Sequence, residues 1–199
     1  LHWLNGSFGD SLKKAIPEEG IELIPLADHA LSQGDDCHGR TVAATGQLLA
    51  CLEARLSQVE NGDKSIEYIE HSPPFFLNLW MAASKLIMLA AVDTKNSSVI
   101  TSIGGNGLEF GIQIAGLPGY WVTTPAKTPT AIYEPGFSKK DGLGAIGDSA
   151  VIEGLGLGAM AIRFSPIQRE YFCSVLPPEA FDLPRNVLSK AHSSFEKTN

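Results

Sequence analysis

The sequence predicts an α+β fold in which buried helices pack on a small antiparallel β-meander, and a glycine-rich helix follows the meander. Two observations support this prediction. Residues 99–124 contain three β-like runs with two short glycine-rich connectors between them, and short connectors between consecutive strands favour antiparallel pairing. The segments 41–59 and 73–92 have the length and apolar spacing of helices.

The middle run of the meander has the clearest strand pattern. Its apolar residues alternate with polar or small ones, and they are Leu108, Phe110, Ile112 and Ile114. A period of two is typical of a strand that buries one face. The connectors 104–107 and 116–119 are rich in glycine, which adopts positive φ angles at little cost. We therefore expect tight turns at both ends of this strand.

Three helices are predicted before residue 60. A short helix over residues 11–16 ends near Pro17. A second begins at Pro25, a favourable first helical residue, and ends before Gly34. The helix over residues 41–59 has one apolar stripe, which consists of Leu48, Leu49, Leu52, Leu56 and Val59.

The segment 73–92 is predicted to be a deeply buried helix, because it is apolar nearly all round. Ser72 can cap it, and two prolines follow in the first turn, where missing N–H groups cost little. Asn78 and Lys85 lie two helical turns apart and so share a face. A lysine near the centre of a lone membrane span is costly. We therefore interpret the segment as a core helix rather than a membrane span.

The remainder of the chain is less regular. Residues 125–144 are predicted to be mostly loop. Asp148 or Ser149 is predicted to cap a glycine-rich helix over residues 148–161. A marginal helix is predicted for residues 186–197.

We predict one compact unit with three parts. A mainly helical part covers residues 1–95, the meander and the glycine-rich helix cover residues 96–175, and a tail covers residues 176–199. A chain of 199 residues is long enough for such a unit.

The composition limits the partners and the compartment. A formal net charge of −7 argues against a nucleic-acid or anionic-membrane binder, although it permits a local anion site. Cys37, Cys51 and Cys173 are odd in number and far apart, and no CxxC pair occurs. A disulfide framework is therefore not expected, and we predict a reducing, cytoplasmic environment.

Residues 34–40, with the sequence GDDCHGR, concentrate functional side chains directly before a predicted helix. Helix N-termini attract anions. Arg40 can bind a carboxylate or phosphate through two parallel hydrogen bonds, and His38 can donate a hydrogen bond or move a proton. A structural interpretation is the alternative. In that case Asp35 or Asp36 caps the helix, while His38 bonds to the backbone and Arg40 pairs with an acid.

Two other chemistries at this loop are less well supported. Asp35, Asp36 and His38, with His29 nearby, match no known spacing of metal ligands. Cys37 beside His38 resembles a nucleophile–base pair only along the sequence, because adjacent side chains seldom point at each other. We therefore predict neither a metal nor a cofactor.

Polar residues elsewhere allow two interpretations each. Asn78 and Lys85 either line a polar pocket or satisfy structural partners. Asn106 and Gly107 lie in a connector whose N–H groups can cradle an oxyanion or simply form a turn. The pair at 148–149 matches a phosphate-binding loop only loosely, so ordinary capping is the better interpretation.

Five short segments occur in a fixed order along the chain, and they are GDDCHGR with the AAT that follows (34–45), FFLNLWMAASK (75–85), NGLEFGI (106–112), WVTTPA (121–126) and GDSA (147–150). Together they resemble the bacterial YlbE/YahG (AllG-like) family, whose motifs include GDE-C-H-N-R, FFLNLSMAA-x-K, RNG-x-x-FGI, WFTAPA and GDSA. Gly39 and Gly105 replace larger residues of the family pattern.

The resemblance implies a role in carbamoyl transfer. Members of the family include a component of a multi-subunit oxamate carbamoyltransferase, which interconverts oxalurate and phosphate with oxamate and carbamoyl phosphate in allantoin degradation. The chain is then expected to be a subunit or fragment of such an enzyme, with a small anionic substrate. Its expected partners are other subunits or further copies of itself, and neither nucleic acid nor a membrane.

On this hypothesis we assign roles to nine residues. The catalytic candidates are His38, Arg40 and Lys85. The substrate-binding candidates are Asp36, Asn78, Asn106, Gly107, Asp148 and Ser149. The rival hypothesis is a non-catalytic assembly or small-anion-binding module, which predicts a large exposed apolar patch and no convergent polar cleft. A metal-dependent hydrolase is a third, weaker hypothesis.

Overall fold

The structure is a computed structural model that describes residues 2–187 and 192–198. The predicted α+β class is confirmed, since a helical layer precedes and contacts an antiparallel sheet. A short π-helical turn at Leu4–Phe8 leads into the first helix. Five helices precede the sheet: α1 (Gly9–Ala15), α2 (Leu23–Ser32), α3 (Val42–Leu56), α4 (Gly62–Glu70) and α5 (Phe75–Leu89).

The sheet contains the predicted meander. Its strands are β1 (Ile100–Asn106), β2 (Glu109–Ile114), β3 (Val122–Pro125) and the short β4 (Ile146–Gly147). All pairs are antiparallel, and the order is β3-β2-β1-β4. Ile103, Ile112 and Val122 are direct partners across three strands, so they share one face. Ile103 packs against the helical core, whereas Val122 on the outer strand is 49% exposed.

The burial alternation predicted for the central strand is not observed, because Gly111 is buried whereas Phe110, Ile112, Gln113 and Ile114 are all partly buried. Leu108 departs from the predicted pattern as well, because its side chain is 80% exposed. It lies in the turn before Glu109, where β2 begins, so the strand pattern does not fix its direction. Three of the four residues predicted as the first connector, 104–106, belong to β1 instead.

The helical core is built from α3 and α5. Leu48, Leu52 and Leu56 of α3 are fully buried, as their spacing predicts. On α5 the rings of Phe76 and Trp80 stack with centroids 5.7 Å apart, and both side chains are buried. These residues join the two helices into one core.

Helix α5 is buried less completely than predicted. It packs against α3, β1 and the later helix at Ala150–Glu153, and its remaining side is open, so that Leu86 is 69% exposed and Ile87 and Leu89 are exposed as well. These neighbours do not surround the helix, so they cannot bury its whole circumference. None of the described helices is long and apolar enough to cross a membrane.

The predicted glycine-rich helix over residues 148–161 is divided into two pieces. Helix α6 covers only Ala150–Glu153, and a 3₁₀ segment follows at Gly158–Phe164. Gly156 and Gly158 have φ angles of +84° and +67°, which end a right-handed helix. Ser149 occupies the N-cap position of α6, but its side chain makes no capping bond.

The C-terminal part contains short helices, α7 (Pro166–Phe172) and α8 (Leu183–Val187). The marginal helix predicted for residues 186–197 is only partly testable, because residues 188–191 lie outside the described part of the chain. Residues 192–198 form turns and not a helix. This segment docks on α2, where the carboxylate of Asp28 accepts hydrogen bonds from the backbone N–H of Lys197 and the hydroxyl of Thr198.

Candidate functional site

The loop between α2 and α3 is folded around one carboxylate. Asp36 Oδ1 accepts hydrogen bonds from the backbone N–H groups of His38, at 2.8 Å, and Arg40, at 2.9 Å. Its other oxygen accepts a bond of 3.2 Å from the side-chain amide of Gln168 on α7. The Asp36 side chain therefore organises the loop from within and is almost completely buried.

The neighbouring Asp35 is a structural residue. Its Oδ2 accepts a hydrogen bond of 3.0 Å from the backbone N–H of Ala44, in the first turn of α3, and Oδ1 lies 3.4 Å from Arg40 Nε. Burial raises the pKa of this carboxyl, and the Ala44 bond and the Arg40 charge oppose that rise. Asp35 thus caps α3 and pairs with Arg40, and these are the contacts that the structural interpretation of the loop predicts.

His38 does not follow the structural interpretation, in which it bonds to the backbone. Its Nδ1 lies 2.6 Å from Glu153 Oε1 at the end of α6. The Glu153 carboxylate also accepts a hydrogen bond of 3.0 Å from the backbone N–H of Ala159. The bond to Glu153 raises the pKa of His38, against the opposing effect of burial, and the negative charges of Glu153 and Asp36 add to the rise.

The His38–Glu153 pair lines a cleft of about 550 Å³ between α6, the sheet and the long loop after β3. We call this the His38 cleft. Its other polar lining groups include Ser149, Tyr133 and Thr128. A volume of several hundred Å³ is typical of small-molecule sites. The imidazole is three-quarters buried, with one nitrogen held by a carboxylate, which is how proteins orient a proton-transferring histidine.

Lys85 lines a different cleft. Its Nζ donates a hydrogen bond of 2.9 Å to the carbonyl oxygen of Thr101 and another to the hydroxyl of Ser102. The cleft has a volume of about 470 Å³, and we call it the Lys85 cleft. Its lining residues are Met81, Ala82, Lys85, Ser102, Ile103, Trp121, Asp148 and Val151.

Three other predicted site residues make hydrogen bonds that involve only the backbone of their partners. Asn78 is exposed and donates a hydrogen bond to the carbonyl of Phe75 within α5. Asn106 accepts bonds from the N–H groups of residues 108 and 109, which forms the turn into β2. The Gly107 N–H bonds to the carbonyl of residue 145 and so already has an acceptor.

The structure distributes the nine predicted residues over several places. His38 and Ser149 line the His38 cleft, whereas Lys85 and Asp148 line the Lys85 cleft. The remaining five line neither of the two clefts, and they are Asp36, Arg40, Asn78, Asn106 and Gly107. Helix α6 runs between the clefts, since Val151 lines one of them and Ala150 the other.

Three residues of these sites were not found from the sequence, namely Glu153, Ser102 and Gln168. A signal for Glu153 existed, because it is the only charged residue in the apolar run 150–162. A lone acid beside helix-breaking glycines is a candidate for a buried polar contact. Ser102 and Gln168 carry no comparable signal, since serine and glutamine are ordinary in a strand and on a short helix.

The two less well supported chemistries at residues 34–40, a thiol nucleophile and a metal site, gain no support from the structure. Cys37 is fully buried, and its Sγ lies 3.6 Å from the carbonyl oxygen of Ala27. Burial, followed by the charges of Asp35 and Asp36, raises the pKa of the Cys37 thiol, which disfavours a nucleophilic thiolate. Within residues 2–187 and 192–198, no group of three or more His, Cys, Asp or Glu side chains is arranged to hold a metal ion.

The fold and the clefts define an α+β protein with a histidine–carboxylate pair in a cleft of ligand size. A family model described as "Oxamate carbamoyltransferase subunit AllG" matches residues 1–149. The chain therefore belongs to the AllG family. It is 35% identical over 171 residues to the uncharacterized protein YahG of Escherichia coli (strain K12) and 31% identical over 153 residues to the oxamate carbamoyltransferase subunit AllG of the same organism.

These relatives are longer than the chain. The alignments cover 83% and 75% of this chain but only 36% of each relative, so the chain spans about a third of their length. A crystal structure of a conserved protein of unknown function from Enterococcus faecalis V583 superposes with a TM-score of 0.79 at 29% sequence identity. That match covers 92% of this chain and 45% of the other.

Proposed function

We propose that the chain is a subunit, or part of a subunit, of a carbamoyltransferase that acts on small 2-oxo-carboxylates with carbamoyl phosphate. The membership in the AllG family supports a related role. The observation that carries the proposal is the bond of 2.6 Å between His38 and Glu153 at the edge of a ligand-sized cleft. It supplies an oriented acid–base group where the family relationship leads us to expect carbamoyl chemistry.

In the direction of phosphorolysis, phosphate attacks the carbamoyl carbon of oxalurate. The bond from that carbon to the oxamate nitrogen breaks, and the nitrogen takes up a proton as it leaves. His38 is well suited to donate this proton, because Glu153 favours its protonated form. In the reverse direction the same imidazole accepts the proton from oxamate. This scheme needs no covalent nucleophile, which agrees with the buried, bonded state of Cys37.

The other roles complete the proposal. Arg40 and Lys85 bind anionic oxygens, Lys85 in a cleft separate from His38, since both carry donors beyond those used in the contacts described above. Asp36 positions the loop. The proposed partners are the other subunits of such an enzyme or further copies of this chain, and the proposed compartment is the cytoplasm. The residues that orient the ligand or the backbone are Asn78, Asn106, Gly107, Asp148 and Ser149.

A transfer assay tests the proposal. The purified chain replaces AllG in a mixture with the remaining subunits of the E. coli enzyme, and carbamoyl phosphate formed from oxalurate and phosphate is measured. We expect activity, and we expect His38→Gln to reduce it by at least about a hundredfold. His71 is an exposed histidine outside both clefts, and His71→Gln is the matched control. Full activity of His38→Gln would refute the assigned role.

A second candidate function is a non-catalytic assembly or small-anion-binding module. It is favoured by large apolar side chains that are exposed on and around the sheet. These are Tyr120 (64%), Trp121 (46%), Phe137 (65%), Leu143 (71%) and Ile146 (68%). This candidate predicts that the chain binds the remaining subunits in sedimentation experiments but that oxalurate turnover does not depend on His38.

A further inference from the structure

We infer that the Lys85 cleft is a separate ligand site, which binds a small carboxylate that also carries an N–H donor. The inference goes beyond the reaction proposed at His38 and rests on the proposed function only for the class of ligand. The binding itself requires no transfer reaction, so it can be measured independently.

The first argument concerns unused hydrogen-bond donors. A lysine ammonium has three N–H donors, and Lys85 directs two of them to Thr101 and Ser102. The hydroxyl of Ser102 accepts from Lys85, so its own O–H remains a donor. Ser102 is only 6% exposed, which places this second donor deep in the cleft. One N–H of Lys85 and the O–H of Ser102 can therefore meet the two oxygens of one carboxylate.

The second argument concerns charge. Within residues 2–187 and 192–198, no carboxylate lies within 4.0 Å of Lys85 Nζ. Both neighbours of the ammonium are neutral groups, a carbonyl and a hydroxyl. The Asp148 carboxylate lines the same cleft but forms no ion pair with Lys85, so the partly buried ammonium lacks a directly bonded counter-ion, which is unfavourable. An anion in the cleft would supply the missing charge, and the apolar walls formed by Met81, Ile103 and Trp121 would strengthen the attraction.

The third argument concerns the other end of the ligand. Asp148 lines the same cleft, and its carboxylate accepts no hydrogen bond from any described residue. It is too far from Lys85 to form an ion pair. A carboxylate acceptor opposes a second anionic group and favours an N–H donor. The chemistry of the cleft thus fits a molecule with a carboxylate near Lys85 and an amide or amine near Asp148.

The Lys85 cleft shares no lining residue with the His38 cleft. Asp148 and Ser149 are adjacent in sequence, yet each lines a different cleft. Helix α6, which follows them, separates the two spaces. A ligand held by Lys85 therefore does not occupy the position beside His38, and its binding depends on residues that the His38–Glu153 pair does not touch.

Isothermal titration calorimetry tests the inference with three compounds of similar size. Oxamate has a carboxylate and an amide, pyruvate has the carboxylate but no N–H donor, and oxamide has amides but no charge. We expect saturable binding of oxamate, weaker binding of pyruvate and no binding of oxamide. Equal binding of oxamate and oxamide, or no binding of either carboxylate to the folded chain, would overturn the inference.

Variants locate the binding. Lys85→Met is expected to weaken oxamate binding at least about tenfold, and Ser102→Ala gives a second measurement if Lys85→Met does not fold. Lys95 is an exposed lysine outside the cleft, and Lys95→Met is the matched control. Asp148→Ala should lower the affinity for oxamate to that for pyruvate. Oxamate binding that is unchanged in both Lys85→Met and Ser102→Ala would refute the site.

The inference and the proposed function fail in different ways. If oxamate binds through Lys85 but the transfer assay shows no turnover, the proposed function is refuted and the site stands. If turnover depends on His38 while oxamate binding does not depend on Lys85 and Ser102, the Lys85 site and the anion-binding role of Lys85 are refuted, and the proposed carbamoyl transfer at His38 stands.

Discussion

The backbone N–H of Gly158 donates a hydrogen bond of 2.8 Å to the carbonyl oxygen of Asp36. This bond joins the loop that carries His38 to the turn that follows Glu153. A Cβ atom at position 158 would overlap the Glu153 carboxylate and would lie 2.9 Å from the Cβ of His38. The absence of a side chain at Gly158 is thus a condition for the contact between the imidazole and the carboxylate.

We therefore expect Gly158→Ala to separate His38 from Glu153. The φ angle of +67° at this position costs about 1–2 kcal/mol for alanine, and the overlap adds a further cost. Gly156→Ala is the matched control, because Gly156 has a φ angle of +84° but nothing within 4 Å of an added Cβ. Chemical denaturation should show the larger loss of stability for Gly158→Ala. Equal losses would show that only backbone strain matters.

The second prediction concerns the pKa of His38. The hydrogen bond that His38 donates to Glu153 is the largest cause of its rise, so Glu153→Gln should lower the pKa towards the ordinary value of 6.5. Proton NMR titration of the histidine rings measures it, with His38→Gln to assign the signal. An unchanged pKa in Glu153→Gln would show that the bond of 2.6 Å is not maintained in solution.

The same shift predicts how stability depends on pH. A group whose pKa is raised on folding contributes stability that is fully present below its unfolded pKa, here 6.5, and is lost as the pH rises through the folded pKa. The stability difference between the wild type and Glu153→Gln should therefore be larger at about pH 6 than at about pH 9. Urea denaturation at the two pH values measures it, and a difference that grows with pH would contradict the assignment.

The fold class could be predicted from the sequence because its signals are local. The period of two in β2 and the apolar stripe of α3 depend only on residues within one element. The extent of the glycine-rich helix could not be predicted, because helix propensity does not show which glycines adopt positive φ angles. Gly156 and Gly158 do so in a turn whose hydrogen bonds involve distant residues.

The candidate site could be predicted only in part. Residues 34–40 stood out because functional groups are concentrated in one short segment. The partner of His38 is Glu153, which lies 115 positions away. No local sequence pattern indicates that two residues so far apart are in contact. His38 and Lys85, both assigned as catalytic candidates, line two different clefts, because α6 occupies the space between them. Contacts between residues far apart in the sequence depend on how the whole chain packs, so a local pattern cannot predict them.

The fourth prediction concerns thiol reactivity. Cys37 is buried and its pKa is raised by burial, whereas Cys51 and Cys173 are exposed. We expect a thiol reagent such as dithionitrobenzoate to modify two cysteines rapidly in the native protein and the third only after denaturation. Cys37→Ser should leave the rapid reaction unchanged. Rapid reaction at Cys37, measured by peptide mass spectrometry, would contradict its burial.

The last prediction concerns Asp35, which holds the start of α3 from outside the helix. Its side chain is fully buried, accepts a hydrogen bond from Ala44 and lies against Arg40 Nε. Asp35→Ala removes this acceptor and leaves a buried N–H without a partner, so we expect a loss of about 1–3 kcal/mol in the free energy of unfolding. Glu67 is an exposed acid with no side-chain bond to a described residue, and Glu67→Ala should change stability little.

Asp35→Asn separates the two functions of the Asp35 carboxylate. The amide oxygen can still accept from Ala44, but the negative charge beside Arg40 is lost. Because burial raises the pKa of Asp35, the ionised form is already disfavoured there, and a neutral amide avoids that penalty. We therefore expect Asp35→Asn to lose less stability than Asp35→Ala in urea denaturation. Equal losses would show that the charge facing Arg40, rather than the cap on α3, holds this loop against the helix.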